Sequence, residues 1–60
     1  MRIIVNDVPP EDFVLVARAV KYLVGQPDKK DAILQYGDVG SGLALYVRRN
    51  KSSITVSRVP

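Results

Sequence analysis

Sixty residues make one domain at most, and a chain this short buries only about 60% of the surface that its unfolded form exposes. It has no Cys and no His, which excludes disulfides, the usual zinc ligands and the imidazole or thiol chemistry on which most acid–base and nucleophilic enzymes depend. Apolar residues at 47% and charged residues at 25% describe an ordinary globular chain, and the net charge of +3 biases it mildly towards anionic partners.

The chain is expected to form a single domain over residues 1–60 that reinforces its small core by self-association, the route left open to it. Met1 to Val5 meets Asn6 and Asp7 too soon to give the apolar stretch of a signal peptide. Phe13 to Val24 is interrupted by Arg18 and Lys21 and is too short to span a bilayer. The expectation is a soluble, cytoplasmic protein with no membrane partner.

Arg2 to Asn6 reads as a short strand, because Ile3, Ile4 and Val5 are β-branched neighbours that end at a turn. Asp7-Val8-Pro9-Pro10-Glu11-Asp12 then reads as a helix start: proline suits a first turn whose N–H groups lack partners, and acids suit the positive end of the dipole. The helix is predicted to run to about Val24 and stop at Gly25, with Pro27 just beyond. At 100° per residue, Phe13, Val16, Ala17, Val20, Leu23 and Val24 form one broad apolar face. Leu15, Ala19 and Tyr22 extend it around the cylinder. That second stripe, with Ile33 on the sheet, is the expected oligomer interface, since a small sheet covers only one side of a helix.

Asp28 to Tyr36 carries both signals. Asp28-x-x-Asp31 resembles a helix cap, whereas Ala32-Ile33-Leu34-Gln35-Tyr36 has the length and bounding turns of a strand, the preferred reading. The six residues Gly37-Asp38-Val39-Gly40-Ser41-Gly42 invite comparison with a phosphate-binding loop. They lack the G-K-[S/T] ending and the G-x-G-x-x-G spacing, no helix follows them, and Asp38 repels anions. A hairpin connection is expected instead. Leu43, Leu45 and Val47 alternate with Ala44, Tyr46 and Arg48, and Ile54 and Val56 with Thr55 and Ser57, giving two half-buried strands. A turn at Asn50-Lys51 sets Val47 opposite Ile54 and Leu45 opposite Val56. The predicted fold class is α+β, in the order β-α-β-β-β, with one helix on one face of a mixed sheet.

Chain direction then sorts the charges. Arg2, Lys21, Lys29, Lys30, Arg48, Arg49 and Lys51 gather at the hairpin tip, about 20 Å from the glycine loop at about 3.4 Å per residue. Asp7, Glu11, Asp12 and Asp38 gather at the other pole. The expected function is a non-catalytic binding protein, with no cofactor or metal, that holds or sequesters an anionic ligand, a nucleotide or nucleic acid. Lys29, Lys30, Tyr46, Arg48, Arg49 and Lys51 would carry it, with tyrosine to stack and arginine to meet phosphate. The alternative is a protein–protein module or inhibitor, using the outer sheet face of Ile33, Ala44, Tyr46 and Val59 together with the second helix stripe.

Overall fold

The structure, a computed structural model, describes residues 1–60. The elements are β1 (Arg2–Asn6), a 3-10 turn (Pro10–Asp12), α1 (Phe13–Val24), β2 (Asp31–Tyr36), β3 (Leu43–Arg49) and β4 (Ser53–Arg58). They form a two-layer β-α-β-β-β domain, as the residue patterns predict. The sheet order is β1-β4-β3-β2. β1 runs parallel to β4, while the β2–β3 and β3–β4 pairs are antiparallel. Asp28 to Tyr36 resolves as turn and strand, not helix, since Ala32, Leu34 and Tyr36 alternate inward with Asp31, Ile33 and Gln35.

Strand period 2 sorts every side chain to one of two faces. The inner face presents Ile54 and Val56 of β4 with Leu43, Leu45 and Val47 of β3, all buried. Against them α1 sets Val16, Ala19 and Leu23. Each fully buried aliphatic side chain contributes about 1.5–3 kcal/mol of transfer free energy. With only 8 of 60 residues buried, every one of them matters. α1 lies over β3 with β2 and β4 on either side, so β1 sits at the margin of the helix layer.

Two expectations are corrected, one about the helix face and one about strand register. The helix is turned from the face that periodicity favours: Ala19 is 0% exposed, Leu15 and Val20 are partly buried against the core, and Phe13 and Val24 stand about half exposed. Only Arg18 and Lys21 interrupt the apolar surface of α1, so periodicity does not single out one face. Fit decides, and the small Ala19 allows the helix to sit close to the sheet. Ala19 therefore offers no surface to a partner.

The β3–β4 register is also shifted by two residues. Val47 faces Val56, Arg49 faces Ile54 and Leu45 faces Arg58. Asn50 sets this register: its backbone N–H donates to the Ser53 carbonyl at 2.8 Å, and its side-chain amide donates to Ser53 Oγ at 3.3 Å and Thr55 Oγ1 at 3.0 Å. The central turn residues are thus Lys51 and Ser52, not Asn50 and Lys51. Matching apolar to apolar failed because a charged residue, Arg49, takes the inward place opposite Ile54.

Arg49 has its own reason to point inward. Its Nη2 donates to the Leu23 carbonyl at 2.6 Å and its Nη1 to the Pro27 carbonyl at 2.9 Å. The guanidinium therefore satisfies carbonyls at and just beyond the C-terminal end of α1, where a cation also meets the negative end of the dipole. Gly25 does not adopt the left-handed conformation expected of a helix-stopping glycine, since its φ is −75°. Arg49 and the following Pro27 end the helix in its place.

Candidate functional site

The outer face of the sheet has no layer upon it. It presents Arg2, Ile4 and Asn6 of β1, Ser53, Thr55 and Ser57 of β4, Ala44, Tyr46 and Arg48 of β3, and Asp31, Ile33 and Gln35 of β2. Tyr46 stands near the middle, paired directly with Ile33 on one side and Ser57 on the other. One row nearer the hairpin tip, Arg48 lies between Asp31 and Thr55. The face is a shallow platform with one aromatic ring, a few aliphatic groups and a row of hydroxyls.

Its polar groups are held in place. The Tyr46 hydroxyl donates to Asp31 Oδ2 at 3.0 Å. That bond is the main reason the phenol pKa is raised above 10.0, with Arg48 pulling the other way. The ring therefore stays neutral across the physiological range, with its π-faces retained. Asn50 restrains the hydroxyls of Ser53 and Thr55 beside it.

The register places Arg2, Lys29, Lys30, Arg48, Arg49 and Lys51 at the hairpin-tip end of the sheet, with Lys21 in the last turn of α1 at the same end. These are seven of the nine basic residues, tempered by Asp28 and Asp31. They are not equivalent. Arg49 is engaged by carbonyls inside the fold, and Lys29 Nζ lies 5.8 Å from the Tyr22 ring centroid. Lys30, Arg48 and Lys51 are exposed. Of the six residues expected to carry a ligand, Tyr46 and Arg48 share the outer face, Lys30 and Lys51 flank its tip, Lys29 leans towards the helix side, and Arg49 is structural. A cavity of about 330 Å³ opens at the tip, lined by Lys51, Ser52 and Ser53 among others.

Of the residues expected at an oligomer interface, Ile33 is 65% exposed on the outer face and Tyr22 is exposed beside Lys29. Leu15 and Ala19 turn to the core.

The largest concavity, about 560 Å³, lies at the opposite pole against the glycine loop. Arg18 and Arg58 line it with Tyr36, Ser41 and Asp12. The sequence gives no sign of these two cations beside the glycine loop, because Arg18 and Arg58 are 40 residues apart and meet only through the fold. The loop itself is closed for phosphate. The N–H groups of Ser41 and Gly42 both donate to the Asp38 carbonyl, at 3.2 and 2.6 Å, and Asp12 contributes a negative charge to the lining. Gly37 and Gly40 adopt positive φ, 83° and 92°, as a tight hairpin connection requires.

Comparison with protein-family models, with curated proteins and with solved structures found no match to this chain. The functional reading therefore rests on the chemistry of the surface alone.

Proposed function

We propose that the protein is a non-catalytic binding module whose bare sheet face holds a single-stranded nucleic acid or nucleotide, and so occupies or sequesters it. The observation that carries this reading is the pairing of Tyr46 and Arg48 on one face of β3, inside a rim that also holds Lys30, Lys51 and Arg2. A neutral tyrosine ring offers any base a stacking surface worth about 1–3 kcal/mol, while cations a residue or two away meet the backbone phosphates. The serine and threonine row adds hydrogen-bonding groups for sugar and phosphate oxygens. Engaged as it is with helix-end carbonyls, Arg49 contributes only indirectly, by holding the tip in place.

The test is fluorescence anisotropy with a labelled oligothymidylate. With three phosphate contacts from Lys30, Arg48 and Lys51, log K falls linearly with log salt at a slope of about −2, at about −0.7 per contact. Arg48→Ala flattens that slope by about 0.7. Tyr46→Ala weakens binding by about 5- to 150-fold, the equivalent of about 1–3 kcal/mol, and leaves the slope unchanged. Arg18→Ala does neither. Absence of binding, or dependence on Arg18 in place of Tyr46, overturns the proposal.

Ile33, with Ile4 beside the central strands, favours a second reading in which the same face docks on a protein. A partner that stays bound at high salt and is lost on Ile33→Glu would support it over the nucleic-acid reading.

A further inference from the structure

β1 is an edge strand, and its open side has a definite pattern. The Arg2 N–H donates to the Ser52 carbonyl of the β4 side at 3.1 Å. In a parallel ladder the N–H and C=O of one residue point the same way and alternate along the strand. Arg2, Ile4 and Asn6 therefore bond to β4, whereas the backbone groups of Ile3 and Val5 face outward with no neighbouring strand. Beyond Arg2 at its start, the strand carries none of the usual protections of an edge, having no proline, lysine or bulge.

The inner face of β1 is open at Ile3. Ile3 is 51% exposed although it pairs with the buried Ile54. Leu15 and Arg18 lean towards Tyr36 and β2, so the other flank of α1, Phe13 and Val24, overlooks β1. Val5 packs against the core, as Ala32, Leu34 and Tyr36 of β2 do at the far edge, so the uncovered apolar side chain on the inner face of β1 is Ile3.

We propose that two copies of this chain join through β1, edge to edge and antiparallel, about a two-fold axis beside Ile4. In that register Ile3 of one copy faces Val5 of the partner subunit, and Val5 faces Ile3 of the partner subunit. These are the residues whose backbone groups point outward, so both become hydrogen-bonded pairs and four free groups on each copy are satisfied. Ile4 meets its own counterpart as the closer, non-hydrogen-bonded pair, with Cα atoms about 4.5 Å apart. Arg2 falls opposite Asn6 of the partner subunit, so no like charges meet.

Charge selects the antiparallel arrangement. Each copy is basic at the end where β1 begins, at Arg2, and acidic where it ends, at Asp7. Antiparallel pairing lays the Arg2 end of one copy beside the Asp7 end of the other, whereas parallel pairing would stack like poles. α1 is centred on β3, two strands or about 10 Å from the junction, so the two helices do not collide. The result is a continuous eight-stranded sheet whose outer face carries two Tyr46–Arg48 sites. The pairing does not depend on what those sites bind.

Sedimentation equilibrium without nucleic acid tests it. The protomer mass is 6.6 kDa, so the wild-type chain is expected at twice that, 13.2 kDa. Ile4→Glu and Ile4→Lys each place like charges on the axis and give 6.6 kDa species. An equimolar mixture of the two returns to the dimer mass, which also shows that both variants fold. Ile33→Glu, on the same face but at the other edge, leaves the dimer intact. Hydrogen exchange needs no variant: the Ile3 and Val5 amides exchange slowly in the dimer. A wild-type monomer, a dimer that survives Ile4→Glu, or fast exchange at Ile3 and Val5 contradicts the pairing.

Discussion

Gly42→Ala is expected to lower the melting temperature by about 10–20 °C, corresponding to a loss of about 3 kcal/mol in a domain this small. A methyl group at this position collides with the Tyr36 carbonyl oxygen and lies 2.8 Å from the Asp38 carbonyl oxygen and 2.9 Å from the Gly37 carbonyl carbon. All three are backbone atoms, so no side chain can swing aside. The β2–β3 connection must open, and the Gly42 N–H bond to Asp38 is lost with it. A chain of this length has a total stability of about 3–9 kcal/mol, so the change removes a large share. Gly40→Ala is the comparison. Its methyl group would enter open space, and only the positive φ opposes it, at a cost of about 1–2 kcal/mol. Thermal denaturation at one protein concentration checks both, and a Gly42→Ala variant that melts with the wild type would contradict the packing at this turn.

Arg49→Met is expected to cost about 2–3 kcal/mol, whereas Arg48→Ala, one residue away, changes stability by less than about 0.5 kcal/mol. Methionine keeps much of the apolar stem but leaves the Leu23 and Pro27 carbonyls without their charged donor. The Leu23 carbonyl keeps the Gln26 N–H at 3.1 Å, but its bond to Arg49 is partly buried, so water replaces that charged donor poorly. Arg48 projects into solvent from the outer face, so its removal leaves the fold untouched. Urea titration of the two variants separates the roles. Equal midpoints would mean that Arg49 does not cap α1.

That contrast shows where the sequence was legible. Alternation at Leu43–Leu45–Val47 and Ile54–Val56, the β-branched run in β1 and the proline-led start of the helix are local signals, and each marks its element. The charge poles followed, because they depend only on strand direction. What remained hidden depends on contacts between distant segments. Arg48 and Arg49 look alike as a pair of basic residues, yet alternation turns one outward and the other beneath the end of α1. The turn at Lys51–Ser52 was set by the side chain of Asn50, which apolar matching does not weigh. A helix with so few polar residues as α1 does not reveal which flank meets the sheet, and so Ala19 appeared free when it is fully buried in the core.

The glycine loop illustrates the same division. Its spelling already argued against a phosphate-binding loop, and the fold adds the physical reason: two of its N–H groups are turned back on Asp38. The two arginines at its side could not be anticipated, since one comes from the middle of α1 and the other from the end of β4. Beside Asp12 they make a cleft of mixed charge, chemically unlike the cationic rim at the opposite pole. The neutral ring and exposed cations of the outer face match the chemistry of a single strand better.

The most direct test follows backbone amide resonances of the labelled protein as a short oligothymidylate is added. Binding on the outer face shifts Ala44 to Arg48 and Ser53 to Ser57 together with Arg2 and Lys30, and leaves Leu15, Arg18 and Ser41 in place. Shifts confined to the cleft of Arg18 and Arg58, or none at all, would contradict the account.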